Sequence, residues 1–336
     1  MVASRIKRKK TKKKKLFVLM PFLFLILAAV GYSAYEYNQG FNSASQNNEP
    51  FLHDQEEFNG ENGADNLPLE KMNILILGID SNGTEQARTD TIMVAQYNPE
   101  DGSLKLASIM RDSYVSIPGY ANNKINASFF FGGPELIRQT IKENFNIDIQ
   151  YYALINFDGF TEVVDTIAPH GIEIDVEKRM YYVDNAAGLK IDLYPGIQKL
   201  NGEELLKYAR FRHDAESDFG RVRRQQQVTE RVKEELISAA TIAKIPRLLG
   251  TIQPYIDTNI ETGTILSLAK DFIINPADQL NTLRLPIDGT FYNAHYSHAG
   301  AVLEFDKEEN QKALNEFFSD EFEEENEEKT NELAAQ

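Results

Sequence analysis

The chain has 336 residues, 42% of them hydrophobic, with 35 Lys and Arg against 51 Asp and Glu and no cysteine. That length allows one sizeable domain with appendages, and the missing cysteine excludes disulfides, thiolate metal sites and a cysteine nucleophile. The charge is uneven: the first fifteen residues hold nine cations and no acid, leaving 26 cations against 51 acids in the rest.

Residues 1–15 form a basic tail, and Leu16 to Tyr35 follow without a charged residue. A helix of about 20 residues spans about 30 Å, the thickness of a bilayer's hydrocarbon core. The cationic flank places the N-terminus in the cytoplasm, and the same cations suit anionic lipid head groups. The small residues Ala29–Gly31 match a signal-peptidase site poorly, so a retained single-span anchor over 16–35 is favoured over a cleaved signal. Residues 36–68, rich in Asn, Gln, Glu, Gly and Ser, read as a flexible tether. The folded domain is expected over 69–305. An acidic tail follows over 306–336, with a helix in its first part.

Within the domain, Asn73–Leu77, Thr91–Tyr97 and Leu104–Met110 read as strands. The turn Asn98-Pro99-Glu100-Asp101-Gly102 makes the second and third a hairpin. Pro134–Phe145 reads as a helix, Tyr152–Ile155 as a strand and Phe157–Ile167 as a helix. Asn201 caps a helix over Gly202–Ala209, with Glu204 at the capping-box position. A long helix is expected from Phe219 to Ala243, a further one over Thr264–Ile273, and a late strand over Thr282–Leu285. Strands interleaved with helices give an α/β domain with helices on both sheet faces.

The first strand ends at Asp80. The second begins after Arg88-Thr89-Asp90, and the third ends at Arg111-Asp112. If these strands alternate in direction, Asp80, Arg88, Asp90 and Arg111 meet at one end of the sheet. A second concentration lies in RFRHDAESDFGRVRRQQQ, which carries five arginines in an acidic chain. Arg210 and Arg212 alternate, so an extended segment points both to one side. Asp218 reads as the N-cap of the long helix, and Arg221, Arg224 and Gln225 fall on one face of its first turns. Arg223 lies off that face and reads as a surface residue. Arginines in a first turn oppose the helix dipole unless an anion is bound. Guanidinium groups bind phosphate in two-point fashion, so the cluster points to a heavily phosphorylated ligand rather than to surface ion pairs. Two carboxylates beside it suit a diphosphate with a divalent cation. No GxxxxGK[ST] loop occurs, which excludes a P-loop enzyme.

The motifs NILILGID, ARTDTIMVAQYNPEDGSLKLASIMRDSYV, NKINASFFFGGPE, LNGEELLKYARFRHD and SDFGRVRRQQQ resemble, in family order over residues 70–290, the LytR-CpsA-Psr family of Gram-positive cell-wall proteins. The resemblance implies a three-layer α-β-α sandwich around a mixed sheet, with a long apolar pocket for a polyprenyl chain. It also implies a membrane-anchored phosphotransferase, extracellular and single-pass. Such an enzyme moves an anionic glycopolymer, such as wall teichoic acid, from undecaprenyl diphosphate to peptidoglycan. The acceptor would be the C6 hydroxyl of N-acetylmuramic acid. By the same likeness Asp80 and Asp90 bind Mg²⁺, with Mn²⁺ as an alternative ion. Arg88, Arg111, Arg210, Arg212, Arg221 and Gln225 contact the diphosphate, joined by Arg224 from the helix-face reading. Asp218 supports the arginines, and the catalytic set is Asp80, Asp90, Arg111, Arg212 and Asp218. One departure is Met110, where the family pattern has proline before Arg-Asp. Phe129 to Phe131 and Phe157 to Val164 are candidates for the pocket wall.

Two other functions use the same residues. In a polyprenyl-diphosphate hydrolase water replaces the sugar hydroxyl. A lipid-linked-glycan sensor or transcription attenuator does no chemistry, but no helix-turn-helix is evident, the cytoplasmic part is too short for a domain, and no nucleic-acid partner is expected. His295 and His298 lack a third ligand, so no zinc site is expected.

Overall fold

The computed structural model describes residues 31–42, 44, 58–60, 71–79, 89–98, 102–185, 188–238, 244–274 and 280–319. The basic tail, most of the uncharged run and residues 320–336 lie outside the described residues, as do Asp80 and Arg88. Among the described residues, no helix is long and apolar enough to cross a membrane.

A six-stranded mixed sheet forms the centre. Its strands are β1 (Met72–Ile79), β2 (Thr89–Tyr97), β3 (Leu104–Ile109), β6 (Tyr151–Asn156), β11 (Ile256–Thr258) and β12 (Leu280–Leu285), in the order β11-β6-β1-β2-β3-β12. β1, β2 and β3 alternate in direction, whereas β6 runs parallel to β1 and β12 parallel to β3. The outgoing ends of β1, β3, β6 and β12 and the incoming end of β2 therefore share one edge of the domain. Such a convergence at the carboxyl ends of strands is the usual place for a ligand in an α/β sheet.

Side chains alternate across the pleat; one face is packed into the main core, and the other is covered in part and stays open near the strand edge. Leu75, Leu77, Val94, Ala107 and Leu154 point into the main core. That core is closed by the helical span α2 (Ile125–Phe145) through Ile137, Ile141 and Phe145, and by α8 (Lys307–Phe318) through Leu314 and Phe317. α2 is broken at Gly132 and Gly133, where φ reaches −162° and 56°, and restarts at Pro134. A proline at a helix start loses no intrahelical bond, which agrees with the expected onset at that residue. On the other face, α7 (Thr262–Ile274) packs Leu268 and Phe272 on Met72, Tyr97 and Tyr151. A second core joins α3 (Phe157–Ile167), α4 (Gly202–Arg210), α5 (Ser217–Leu236) and α6 (Ile245–Ile252) to two small hairpin-like pairs. One pair is β7 (Ile172–Val176) with β10 (Gly196–Leu200), the other β8 (Met180–Asp184) with β9 (Leu189–Leu193). The capping box at Asn201 and Glu204 is present.

The structure extends the domain beyond the compositional limits at both ends. α8 lies past residue 305, yet Leu314 is fully buried and the buried Lys105 ammonium donates to the Ser319 carbonyl at 2.8 Å. Glu308 and Glu309 follow the N-cap Asp306, where they suit the helix dipole, and the apolar residues recur at helical spacing on the buried side. At the other end, residues 31–42 form a helix, α1, docked on α6 rather than a free tether. The contact is backbone to backbone: a Cβ at Gly40 would meet the Arg247 carbonyl oxygen at 2.2 Å, and one at Gly250 the Tyr37 carbonyl oxygen at 2.1 Å. Composition hid this contact because two glycines, not large apolar residues, make it. Phe58 also packs on Tyr152, with ring centroids 4.8 Å apart.

Candidate functional site

Asp90 sits at the shared strand edge because of a bulge. Gly78 pairs with Thr91 but Ile79 with Thr89, so Asp90 is the extra residue in β2. A bulge twists the strand and re-aims one side chain, and here the Asp90 carboxylate meets Arg111, which follows β3. The same register brings Ile79, the residue before Asp80, alongside.

α5 approaches from the open face of the sheet. It begins at Ser217, one residue before Asp218, so Asp218 is not its N-cap. The carboxylate of Asp214 takes that role in part, accepting from the backbone amides of Glu216 and Ser217 at 3.1 and 2.9 Å. Asp218 is left to turn inward, where its Oδ2 lies 3.5 Å from both Arg111 Nε and Arg221 Nη2. Arg221 Nη1 lies 3.9 Å from Asp90 Oδ1. Gln225, one turn further, donates to Thr91 Oγ1 at 3.0 Å. Arg210 and Arg212 flank Phe211, whose extended backbone (φ −63°, ψ 129°) aims both toward the same cavity. The Arg210 guanidinium lies over the Phe157 ring, 4.2 Å from its centroid.

Arg224 is placed elsewhere. It is fully buried and donates to Glu177 at 3.0 Å, Asp214 at 3.1 Å and the Phe211 carbonyl at 2.6 Å. It lies about 60° round the helix from Arg221, on the side opposite to Gln225, which turns it into the second core and away from the ligand space. Arg223 is exposed and paired with Glu216 and Glu177, as its position off that face implies.

The cavity occupies about 340 Å³ between the sheet's open face, α3, α4 and α5. Asp90, Arg111, Arg210, Arg212, Arg221 and Gln225 line its end at the strand edge. Ile76, Met93, Ile155, Phe157, Phe160 and Leu189 line the remainder. Phe129 faces the main core on the opposite side of the sheet, and Phe130 and Phe131 are exposed, so of the two aromatic stretches only Phe157 to Val164 contributes to the wall. The pleat decides this, since α2 covers the other face.

The charges at the arginine end are unbalanced. Burial lowers the pKa of Arg221, and the neighbouring charges of Arg111 and Arg212 lower it further against the pull of Asp218 and Asp90. Burial also opposes the charge on Arg111, but Asp90, Asp218 and Asp112 outweigh it and raise its pKa. The Nε atoms of Arg111 and Arg221 are buried and find no hydrogen-bond partner among the described residues. A bound anion would relieve the repulsion between the two cations.

Asp112 and Lys124 are site residues that motif spacing did not single out. Lys124 Nζ lies 2.6 Å from Asp112 Oδ1, and Asp112 Oδ2 lies 3.6 Å from Arg111 Nε. Burial and the neighbouring Asp112 raise Asp218 despite its arginines. Burial is overcome at Asp112 by its interactions with Asp218 and with the Lys124 ammonium, which lower it. The signal for both residues was adjacency alone: Asp112 follows Arg111, and Lys124 lies in the NKINAS motif. Met110, at the position of the family's proline, is buried against Val222 and Leu303, so its side chain supports α5 from below.

Of the two carboxylates expected to hold a divalent cation, the described residues include only that of Asp90, which is paired with Arg111. Among the described residues no group of three His, Asp or Glu surrounds a point. Mg²⁺, however, is held by one or two carboxylates with substrate phosphate and water completing its octahedron. Asp90 supplies one carboxylate, 29% exposed, at the arginine end of the cavity.

The LytR_cpsA_psr family model matches residues 34–316. The chain is 38% identical over 291 residues to the regulatory protein MsrR of Staphylococcus aureus (strain COL), covering 87% of this chain and 86% of that one. It is 31% identical over 265 residues to the polyisoprenyl-teichoic acid–peptidoglycan teichoic acid transferase TagU of Bacillus anthracis (strain CDC 684 / NRRL 3495), covering 78% and 84%. Among solved structures, B. subtilis TagV superposes with a TM-score of 0.63 at 29% identity, over 75% of this chain and 98% of that one. The structure of TagT bound to LIIa-WTA superposes with a TM-score of 0.60 at 25% identity, over 80% and 95%. With most of its length matched by the family model and by relatives, the chain belongs to the LytR-CpsA-Psr family.

Proposed function

We propose that this chain is a phosphotransferase that attaches an undecaprenyl-diphosphate-linked anionic glycopolymer, such as wall teichoic acid, to peptidoglycan. The observation that carries this reading is one cavity with two chemistries: an apolar length walled by Ile76, Met93, Ile155 and Phe160, and an end lined by four arginines. A polyprenyl diphosphate has the same division. The names of TagU, and of TagT bound to LIIa-WTA, support the polymer and acceptor classes.

In the proposed reaction the acceptor sugar hydroxyl attacks the phosphorus next to the polymer. A new P–O bond forms and the hydroxyl's proton ends on the departing undecaprenyl phosphate. The bond to undecaprenyl phosphate breaks, leaving the polymer on peptidoglycan as a phosphodiester. Arg111, Arg212 and Arg221 neutralise charge on the diphosphate and on the departing phosphate. Asp218 does not line the cavity; it orients Arg111 and Arg221 from behind, and Lys124 holds Asp112 in the same shell. Asp90, with Asp80 from outside the described residues, would hold Mg²⁺, which when bound adds countercharge at the diphosphate. The apolar wall retains the polyprenyl chain. The uncharged run Leu16–Tyr35 would anchor the chain with this domain outside the cell, where peptidoglycan lies.

The test is product analysis with the full chain, lipid-linked polymer and peptidoglycan. Polymer covalently attached to peptidoglycan, with undecaprenyl phosphate released, is the expected product. Free phosphate-bearing polymer would assign the chain to hydrolysis, and neither product would remove the enzymatic reading.

A further inference from the structure

Beyond Arg111, on the side away from the cavity, the chain builds a surface that the diphosphate chemistry does not use. Asp112, Ser113 and Tyr114 run out along a hairpin of β13 (Phe291–Tyr296) and β14 (Gly300–Phe305). Ser113 bridges Leu303, and the Leu303 amide donates to the Asp112 carbonyl at 2.9 Å. Tyr114 also pairs with Lys124, where the short strands β4 (Tyr114–Val115) and β5 (Asn123–Lys124) form a second ribbon. The hairpin is thus pinned directly to the segment that carries Arg111. Its inner residues Phe291 and Leu303 pack on Phe219, Met110 and Val222 of the site's own support.

The hairpin's other face is aromatic. Tyr292 and Tyr296 lie on the same side of β13. Tyr296 stacks on Tyr114 with centroids 4.6 Å apart and planes 17° from parallel. His298 follows in the turn: its Nε2 lies 3.0 Å from the Asn122 carbonyl and 3.3 Å from the Tyr114 hydroxyl. Tyr296 donates to Glu304, so its ring is fixed at both ends. Tyr292 is 65% exposed. Rigid rings with hydroxyl and imidazole edges, free of a cation cluster, suit a neutral polar ligand with an apolar face. A pyranose ring is such a ligand, since its C–H face is attracted to the electron-rich face of an aromatic ring.

Position supplies the second argument. In phosphoryl transfer the attacking and leaving oxygens lie roughly in line through phosphorus. The lipid phosphate leaves toward the apolar cavity on the β1, β6 and α3 side. The nucleophile must then arrive from the opposite side of the arginine cluster, which is where Arg111 leads into Tyr114 and the hairpin.

We propose that Tyr114, Tyr292, Tyr296 and His298 form the docking surface for the acceptor glycan strand, stacking its sugar rings so that one hydroxyl reaches the phosphorus beside Arg111. This deepens the transferase reading and rests on it for the role of the bound strand. The probe is an uncrosslinked N-acetylglucosamine–N-acetylmuramic acid oligosaccharide, titrated against the full chain without donor, and then used as acceptor in the transfer assay. Tyr292→Ala and Tyr296→Ala should each weaken oligosaccharide binding about fivefold or more, and raise the KM for acceptor to match. The KM for lipid-linked donor should stay unchanged, and Tyr292→Phe, which keeps the ring, should retain binding. Tyr292→Ala removes a solvent-exposed side chain, so it tests the surface even if Tyr296→Ala fails to fold. Unchanged oligosaccharide affinity in Tyr292→Ala, or an effect confined to donor KM, overturns the proposal. Binding that depends on the tyrosines without any transfer leaves this surface standing and defeats the transferase reading. Transfer that ignores the tyrosines does the reverse.

Discussion

Arg221 Nη1 stands 3.9 Å from Asp90 Oδ1, joining the first turns of α5 to the bulge in β2. The two residues are far apart in the chain and share a wall of the cavity. A ligand phosphate held there would meet a guanidinium and a carboxylate together.

Arg212→Ala and Arg221→Ala are each expected to weaken polyprenyl-diphosphate binding at least tenfold, because a charge-assisted contact is worth about 1.5–3 kcal/mol. Titration of the lipid against folded variants measures this. Equal affinity in both variants would remove the diphosphate site.

Asp90→Asn keeps the side chain's shape and removes its charge. Transfer of the lipid-linked polymer should fall by orders of magnitude, since such electrostatic stabilisation supplies about 3 kcal/mol or more, while lipid binding persists through the arginines and the apolar wall. EDTA should have the same effect and Mg²⁺ should restore activity in the wild-type chain. Full activity in Asp90→Asn, or indifference to EDTA, would exclude a metal role for this residue.

Arg224→Met should act on stability instead of binding. It leaves Glu177 and Asp214 without their buried partner, a loss of about 3–5 kcal/mol, read as a lower denaturant midpoint. The effect carries a pH signature. Burial opposes ionisation of both carboxyls, yet a backbone hydrogen bond, Arg223 and Arg224 at Glu177, and Lys178 and Arg224 at Asp214, lower their pKa values. A lowered carboxyl pKa contributes stability at neutral pH that is lost as pH falls through the folded-state value, so the window begins at about pH 4 and extends downward. The wild-type chain should lose stability across that window more steeply than Arg224→Met. Parallel acid-denaturation curves would mean that Arg224 is not what holds these carboxyls ionised.

A chain ending at Ser319 should fold, and one ending at Phe305 should not. The shorter chain loses Leu314, Phe317 and Phe318 from the main core and the carbonyl that accepts from buried Lys105. Loss of large buried side chains costs about 2–5 kcal/mol each, more than a typical domain's margin allows. Soluble, cooperatively unfolding protein from the Phe305 truncation would show α8 to be an ornament of the fold.

Much of this was legible along the chain. Apolar periodicity located β1, β2, β3 and β6, Phe157–Ile167 appeared with its observed bounds, and the Asn201–Glu204 box named its helix start. These features are local: a strand or a cap is specified by residues a few positions apart. Alternating strand direction was enough to bring Asp90 and Arg111 to one edge, and their contact follows from it. What spacing could not decide was the direction a side chain takes once several elements compete for it. Arg221 and Arg224 share a turn and a residue type, but α5 lies between a ligand cavity and a second core, and about 60° of helix rotation sends one guanidinium to each. Asp218 reads as a cap until Asp214 occupies the amides. Phe129 and Phe157 read alike until the pleat puts them on opposite faces of the sheet. The sequence by itself determined the central strands, several helices with their caps, the charge cluster and the family motifs. Only the tertiary structure decided which charges face the cavity and which are spent in the core, because burial and pairing are set by segments far apart in the chain.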